Sequence, residues 1–317
     1  MSFEEYKKEL VGPYIPLITP FKEDYKLDLE GLRENVRFLM NSGVKRGKGT
    51  FLVAGAGGEF PTLSLDERKE VLSAVAEEVG DKVPLIFGAQ HTVLDKVIEL
   101  CKHAEKEGAI CVQLSPPYYW ALSRGEVYRF YEDVAKNTEV GIMVYQGLAT
   151  FEGSVGMDYK LMEMLTSIEN IISAKYSSPS MYEYIKVVRA FSERLAIIDN
   201  QYWATGFGHM LGARGFLSAC GNFAPKRALK FWELLEKKLY DKALNMTLEL
   251  EIPFYQWIME VRARGIHGEG ALLKPPMRLV GLHAGPVRPP YNLPLPQDLE
   301  DKLKEILLNG GLKVADT

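Results

Sequence analysis

A chain of 317 residues, 47% of them hydrophobic and 25% charged, carries a formal net charge of −4 with both signs interspersed. This is the balance of a globular protein with ample material for a core, and it excludes a broad basic surface for nucleic acid. The charged start MSFEEYKKEL has no signal-peptide apolar stretch, no run approaches the roughly 20 apolar residues that cross a bilayer, and Cys101, Cys111 and Cys220 are too far apart for a disulfide framework, so a cytoplasmic protein without a membrane segment is expected.

The first apolar run, Tyr14–Ile18, reads as a strand, and Leu29–Asn41 follows with helical spacing, placing Leu32, Val36, Leu39 and Met40 on one side. Thr50–Ala54 is the second strand. After it, Ser64–Val79 opens with Ser64 and Glu67 in the spacing of a capping box. The alternation continues through the strand Pro84–Phe87, the helix Val93–Glu107, the strand Ile110–Leu114 and the helix Ser123–Lys136. Four further strands are expected at Val140–Tyr145, Ile171–Lys175, Leu195–Asp199 and Gly215–Ala219. Several of these runs are continuously apolar, as strands covered on both faces must be. Strands alternating with helices in this way predict an α/β fold, a (β/α)₈ TIM barrel, because each crossover returns the chain to a parallel neighbour. Beyond Ala224 the alternation stops. Pro225–Tyr240 is expected to be the eighth barrel helix, Asp241–Arg264 a further helix, and a Pro- and Gly-rich crossing from Gly281 to Pro296 leads to a last helix at Gln297–Leu308. The expected division is a barrel over 1–240 and a C-terminal helical extension over 241–317.

Lys175 is the most informative residue. It ends an apolar strand, IISAK, before the loop residues Tyr176-Ser177-Ser178-Pro179, and barrel enzymes keep their chemistry at the carboxyl ends of their strands. Burial there disfavours the ammonium, and the neutral amine can attack a ketone to form an imine. A strand-end lysine reaching solvent is the competing reading. Tyr145 ends the preceding strand, within about 4.8 Å of its neighbour's path, where a phenol can relay protons; a tyrosine serving only the core is the alternative. The loop Gly55-Ala56-Gly57-Gly58-Glu59 allows backbone N–H groups to converge on a carboxylate, though such loops also simply turn the chain. Pro116-Pro117-Tyr118-Tyr119 aims aromatic rings over the barrel mouth or toward a neighbouring subunit. GVKRGKGT fails the phosphate-loop spacing, with Gly49 where Ser or Thr is required, and the five histidines show no metal spacing.

Taken in order, Gly-Ala-Gly-Gly-Glu after strand two, Pro-Pro-Tyr-Tyr after strand four, Tyr145 and Lys175 resemble the dihydrodipicolinate synthase and N-acetylneuraminate lyase family. Gly212-Ala213-Arg214-Gly215 with Ser218, Asn222 and Pro225 extends the likeness, which runs from PLITPF at residues 16–21 through LSLDER to VRPP at 287–290. The resemblance implies a barrel with C-terminal helices and a homo-oligomer, a dimer or tetramer. It implies no cofactor and no metal, and a 2-keto acid held as a Schiff base on Lys175. Tyr145 would handle protons, the backbone of Ala56 and Gly57 would hold the keto-acid carboxylate, Tyr119 would sit at or near a subunit contact, and Leu217 would lie against the bound substrate.

Several positions depart from that family. Ala56 and Gly57 stand where two hydroxyl residues are usual, and Tyr145-Gln146-Gly147-Leu148 replaces Tyr-Asn-x-Pro. Asn200-Gln201 replaces Gly-Asp or Gly-Glu. No arginine follows Tyr145 within Gln146–Glu152 to grip a second carboxylate. The expected activity is therefore that of an aldolase or dehydratase acting on a pyruvate-derived or 2-keto-3-deoxy acid. The alternatives are a true dihydrodipicolinate synthase, which condenses pyruvate with aspartate semialdehyde, and a barrel that binds a keto acid without turning it over.

Overall fold

The computed structural model describes residues 2–145, 156–201 and 205–315. Helix α1 (Phe3–Glu9) precedes strand β1 (Gly12–Pro16), and the chain then alternates through α2 (Leu29–Asn41), β2 (Thr50–Val53), α3 (Leu65–Val79), β3 (Leu85–Gly88), α4 (Leu94–Lys106), β4 (Cys111–Leu114), α5 (Arg124–Ala135) and β5 (Gly141–Tyr145). It continues through α6 (Tyr159–Leu165), β6 (Ile171–Tyr176), α7 (Met181–Phe191), β7 (Ala196–Asp199), α8 (Thr205–Leu211) and β8 (Gly215–Leu217). The strands close into a barrel in sequence order, β8 returning to β1 with Tyr14 opposite Leu217. This is the expected (β/α)₈ barrel, and its strands are buried along almost their whole length, which is why they read as unbroken apolar runs.

The helices start where the caps direct. Ser64 accepts from the Glu67 backbone while the Glu67 carboxylate takes the Ser64 N–H, so the capping box expected from sequence opens α3. Ser123 and Glu126 do the same for α5. On α2 the inward face carries Leu32, Val36 and Leu39 as expected, but Asn35 is buried with them and Met40 lies half-exposed at the edge. Asn35 can be buried because its amide both donates to the His283 carbonyl, at 2.6 Å, and accepts from the His283 N–H, at 3.1 Å.

After the barrel come α9 (Pro225–Glu236), α10 (Tyr240–Thr247), α11 (Glu251–Ala263), α12 (Glu269–Leu279) and α13 (Gln297–Asn309). The single helix expected over Asp241–Arg264 is two, interrupted at Leu248–Leu250. Helix α12 was not anticipated at all. Its Pro275 and Pro276 lack the N–H groups that continue a helix, and the pattern of the sequence conceals it for that reason.

By internal packing the chain divides into one unit made of 1–14, 46–51 and 84–217 and another made of 15–45, 52–83 and 218–317. In the second unit, α11, α12 and α13 bury Phe254, Trp257, Val261, Met277, Leu303 and Leu307 together. The Trp257 indole donates to the Leu299 carbonyl at 2.8 Å, which satisfies its only polar atom inside that core. None of the described helices is long and apolar enough to cross a membrane.

Candidate active site

In the first unit, β6 carries Lys175 opposite Tyr145 on β5 and opposite Ile198 on β7. Only 6% of Lys175 is exposed. Its Nζ lies over the Tyr145 ring, 4.2 Å from the centroid, and 5.7 Å from the centroid of Tyr14 on β1. Tyr14 is fully buried, and its hydroxyl donates to Oε1 of Gln113 on β4 at 2.7 Å. The lysine is thus not a solvent-facing strand end. It is packed against two aromatic faces, and Leu217 is brought beside Tyr14 by strand register.

The loop that follows β6 is tied to the one that follows β7. Gln201 accepts from the Ser178 N–H at 3.1 Å and donates to the Ser178 carbonyl at 2.8 Å, a two-bond clamp formed by one buried side chain. Asn200 adds a bond from its amide to the Ser177 hydroxyl. The two residues that depart from the family pattern here therefore hold the chain immediately after Lys175.

Asp199, just before them, is 2% exposed, and burial pushes its carboxyl up to about 8. One carboxyl oxygen accepts from the Gln201 N–H at 2.8 Å, while Tyr184 on α7 and the backbone of Gly208 on α8 lie beside the other. A β-carbon at Gly208 would collide with both the carboxyl and the Tyr184 hydroxyl. Tyr184 is itself raised by burial and by the neighbouring carboxyl, and its ring stacks on Tyr176 with centroids 6.0 Å apart. Asp199 is the register partner of Tyr176, so it shares the outward, helix-facing side of the wall, away from Lys175.

In the second unit, the loop after β2 is a tight turn. Glu59 sits at φ 55°, its N–H bonds the Ala56 carbonyl at 3.0 Å, and the Thr19 hydroxyl bonds the Gly58 carbonyl at 2.8 Å. A β-carbon at Gly57 would stand 2.9 Å from Leu273 Cδ1, so a hydroxyl residue there would require the tip of Leu273 to shift. The Glu59 carboxylate, 5% exposed, pairs with the fully buried Lys274 of α12 at 2.5 Å and accepts from the Arg288 N–H at 3.2 Å. Lys274 also donates to the Pro286 carbonyl at 2.7 Å. The pair locks the end of the loop to α12 and to the Pro-rich crossing. The lysine inside the apolar run ALLKPP was the sequence signal for it.

The remaining expected residues fall as follows. Tyr119 is 73% exposed at φ 104°, edge-on to the equally exposed Trp120. Arg124, the first residue of α5, is engaged by both oxygens of Asp158. Arg214 precedes β8, at the amino end of the strand, and reaches the Lys8 carbonyl at 3.4 Å. Gln146 to Glu152, where an arginine was sought, lie outside the described residues. No group of three or more His, Cys, Asp or Glu side chains suited to a metal ion occurs among the described residues.

A closed parallel barrel with a buried lysine and a tyrosine side by side at the carboxyl ends of β5 and β6 has the architecture of an aldolase-type lyase. The chain belongs to the dihydrodipicolinate synthetase family, whose model matches residues 10–309. Its curated relatives include an uncharacterized DapA-like lyase of Thermococcus kodakarensis, 30% identical over 302 residues, covering 94% of this chain and 98% of the relative. A 4-hydroxy-tetrahydrodipicolinate synthase of Methanothrix thermoacetophila is 28% identical over 297 residues, covering 93% and 95%. Among solved structures, YagE, a prophage protein of the same family from E. coli K12 in complex with pyruvate, superposes with a TM-score of 0.82 at 26% identity, covering 95% of this chain and 99% of that one. The protein is a lyase of this family.

Proposed function

We propose that the protein is a Schiff-base lyase that cleaves or dehydrates a pyruvate-derived or 2-keto-3-deoxy acid. The observation that carries this reading is the burial of Lys175 against the Tyr145 ring at the carboxyl end of β6. The neutral amine of Lys175 attacks the keto carbon, its proton passes to the carbonyl oxygen, and loss of water from the carbinolamine leaves an imine. Once protonated, the iminium draws electrons from the neighbouring carbon. The bond from that neighbouring carbon to the hydroxyl-bearing carbon beyond it can then break, leaving an enamine on Lys175 and an aldehyde, while the departing hydroxyl gives up its proton. Tyr145, as the phenol beside that nitrogen, is the group assigned to carry protons in these steps.

The backbone of Ala56 and Gly57 is assigned to the keto-acid carboxylate, and Leu217 to the apolar wall beside it. The pyruvate bound by YagE supports this substrate class. A homo-oligomer, dimer or tetramer, with Tyr119 at or near the contact is supported by the exposure of Tyr119 and Trp120 on a proline-stiffened loop. Light scattering at working concentration checks it, and a stable monomer contradicts it. Three buried thiols suit a cytoplasmic location. The test of the activity is turnover of a panel of 2-keto-3-deoxy acids, read as release of pyruvate or of a dehydrated keto acid. At least one member is expected to turn over in the wild type and none in Lys175→Ala. Turnover that survives Lys175→Ala contradicts the reading.

A further inference from the structure

The barrel interior beneath Lys175 holds a tyrosine that the reaction as described does not use. Tyr14 lies on β1, its ring centroid 5.7 Å from the lysine nitrogen, and no part of it is exposed. Its hydroxyl is committed to Gln113, 99 residues away in sequence, which anchors the tip of the ring. Strand register sets Leu217 alongside it, and Ile198 is the neighbour of Lys175 on β7, so the walls flanking the nitrogen on those strands are uncharged. Two titratable side chains meet this nitrogen, Tyr145 from β5 and Tyr14 from β1.

We propose that Tyr14 is a positioning residue for the Schiff-base lysine: its ring face forms with Tyr145 an aromatic cradle that holds the Lys175 nitrogen in its cationic forms. This rests on the reading of Lys175 as the imine-forming residue. The physical reason is that a cation within about 6 Å of an aromatic centroid is attracted by the ring quadrupole, the more so where water is excluded. The ammonium form of the lysine and the protonated iminium are both cations at the same nitrogen. A cradle that favours them keeps the imine in its electron-withdrawing, protonated form without placing a counter-charge against the keto-acid carboxylate. The Tyr14 hydroxyl is not the active part, since it is spent on Gln113 and burial keeps it protonated.

The test measures the titration of Lys175 directly, by competitive acetylation across pH read by mass spectrometry. It needs no substrate. Three proteins are compared: the wild type, Tyr14→Phe, and a protein with a trifluorinated phenylalanine at residue 14. All three keep the ring's shape, and fluorine withdraws the electron density of its face. Tyr14→Phe is expected to keep the wild-type midpoint. The fluorinated ring is expected to move it down by about 0.5 pH unit or more, because the ammonium has lost a favourable face. Coincident midpoints for the plain and fluorinated rings overturn the proposal. So does a shift in Tyr14→Phe as large as in the fluorinated protein, which would assign the effect to the hydroxyl. Reduction of wild-type protein with borohydride in the presence of pyruvate is run in parallel. Absence of an adduct there overturns the imine reading alone and leaves the titration readable.

Discussion

Tyr145 and Lys175 are register partners on adjacent parallel strands, and the lysine nitrogen lies over the phenol ring, 4.2 Å from its centroid. Parallel pairing gives both side chains the same inward direction, and both residues lie within their strands, so neither needs a loop to aim it. Such a pair is held more precisely than one carried on loops. It also separates two functions, since the ring face meets the nitrogen while the hydroxyl lies at the ring's edge.

That separation can be measured. Tyr145→Phe keeps the face and removes only the hydroxyl. Turnover on the best substrate is expected to fall by about 10²-fold, typical of losing a general acid or base, while trapping of pyruvate on Lys175 persists. Turnover close to the wild type would give Tyr145 a packing role only.

Asp199 predicts a dependence of stability on pH. Its carboxyl is pushed up to about 8 from an ordinary value near 3.8 by burial, so between these values the folded protein binds a proton that the unfolded chain has released. The stability it contributes is present below pH about 4 and is lost as pH rises through about 8, a change of a few kcal/mol. Asp199→Asn keeps the acceptor for the Gln201 N–H and removes the ionisation. Thermal melts of this variant are expected to fall less between pH about 5 and about 8.5 than those of the wild type. Parallel curves would show that Asp199 does not titrate in this range.

The specificity prediction concerns aspartate semialdehyde. A charge-assisted, bidentate arginine is the natural grip for its carboxylate, and no arginine occurs among Gln146–Glu152. Arg124 is taken up by Asp158, and Arg214 stands at the amino end of β8. With pyruvate and aspartate semialdehyde supplied and the product coupled to a reductase, catalytic efficiency is expected below about 10⁴ M⁻¹s⁻¹, the lower end of the ordinary enzyme range. A value above it would make condensation the activity.

The barrel was legible in sequence because its wall is made of short, fully apolar runs, and because caps such as Ser64–Glu67 mark where helices begin. Lys175 and Tyr145 were legible for the same reason, since a polar residue late in an apolar strand stands out, although β6 runs one residue past Lys175, to the buried Tyr176 that reads as loop in sequence. Pairings between distant segments were not. Tyr14 with Gln113 and Glu59 with Lys274 join strands and helices whose adjacency only the closed fold creates. Asp199 reads as the natural end of a strand, and its burial depends on how closely α7 and α8 pack over it through Tyr184 and Gly208. Helix α12 was hidden by two prolines that tertiary packing overrides.

The proposed chemistry stands on a covalent imine between Lys175 and a keto acid. Borohydride reduction of the purified protein with pyruvate, followed by peptide mass analysis, tests it most directly. The account predicts a stable adduct on the peptide containing Lys175, lost in Lys175→Ala. Protein that stays unmodified with pyruvate and with every other keto acid tried, or an adduct that resides on another lysine, would contradict it.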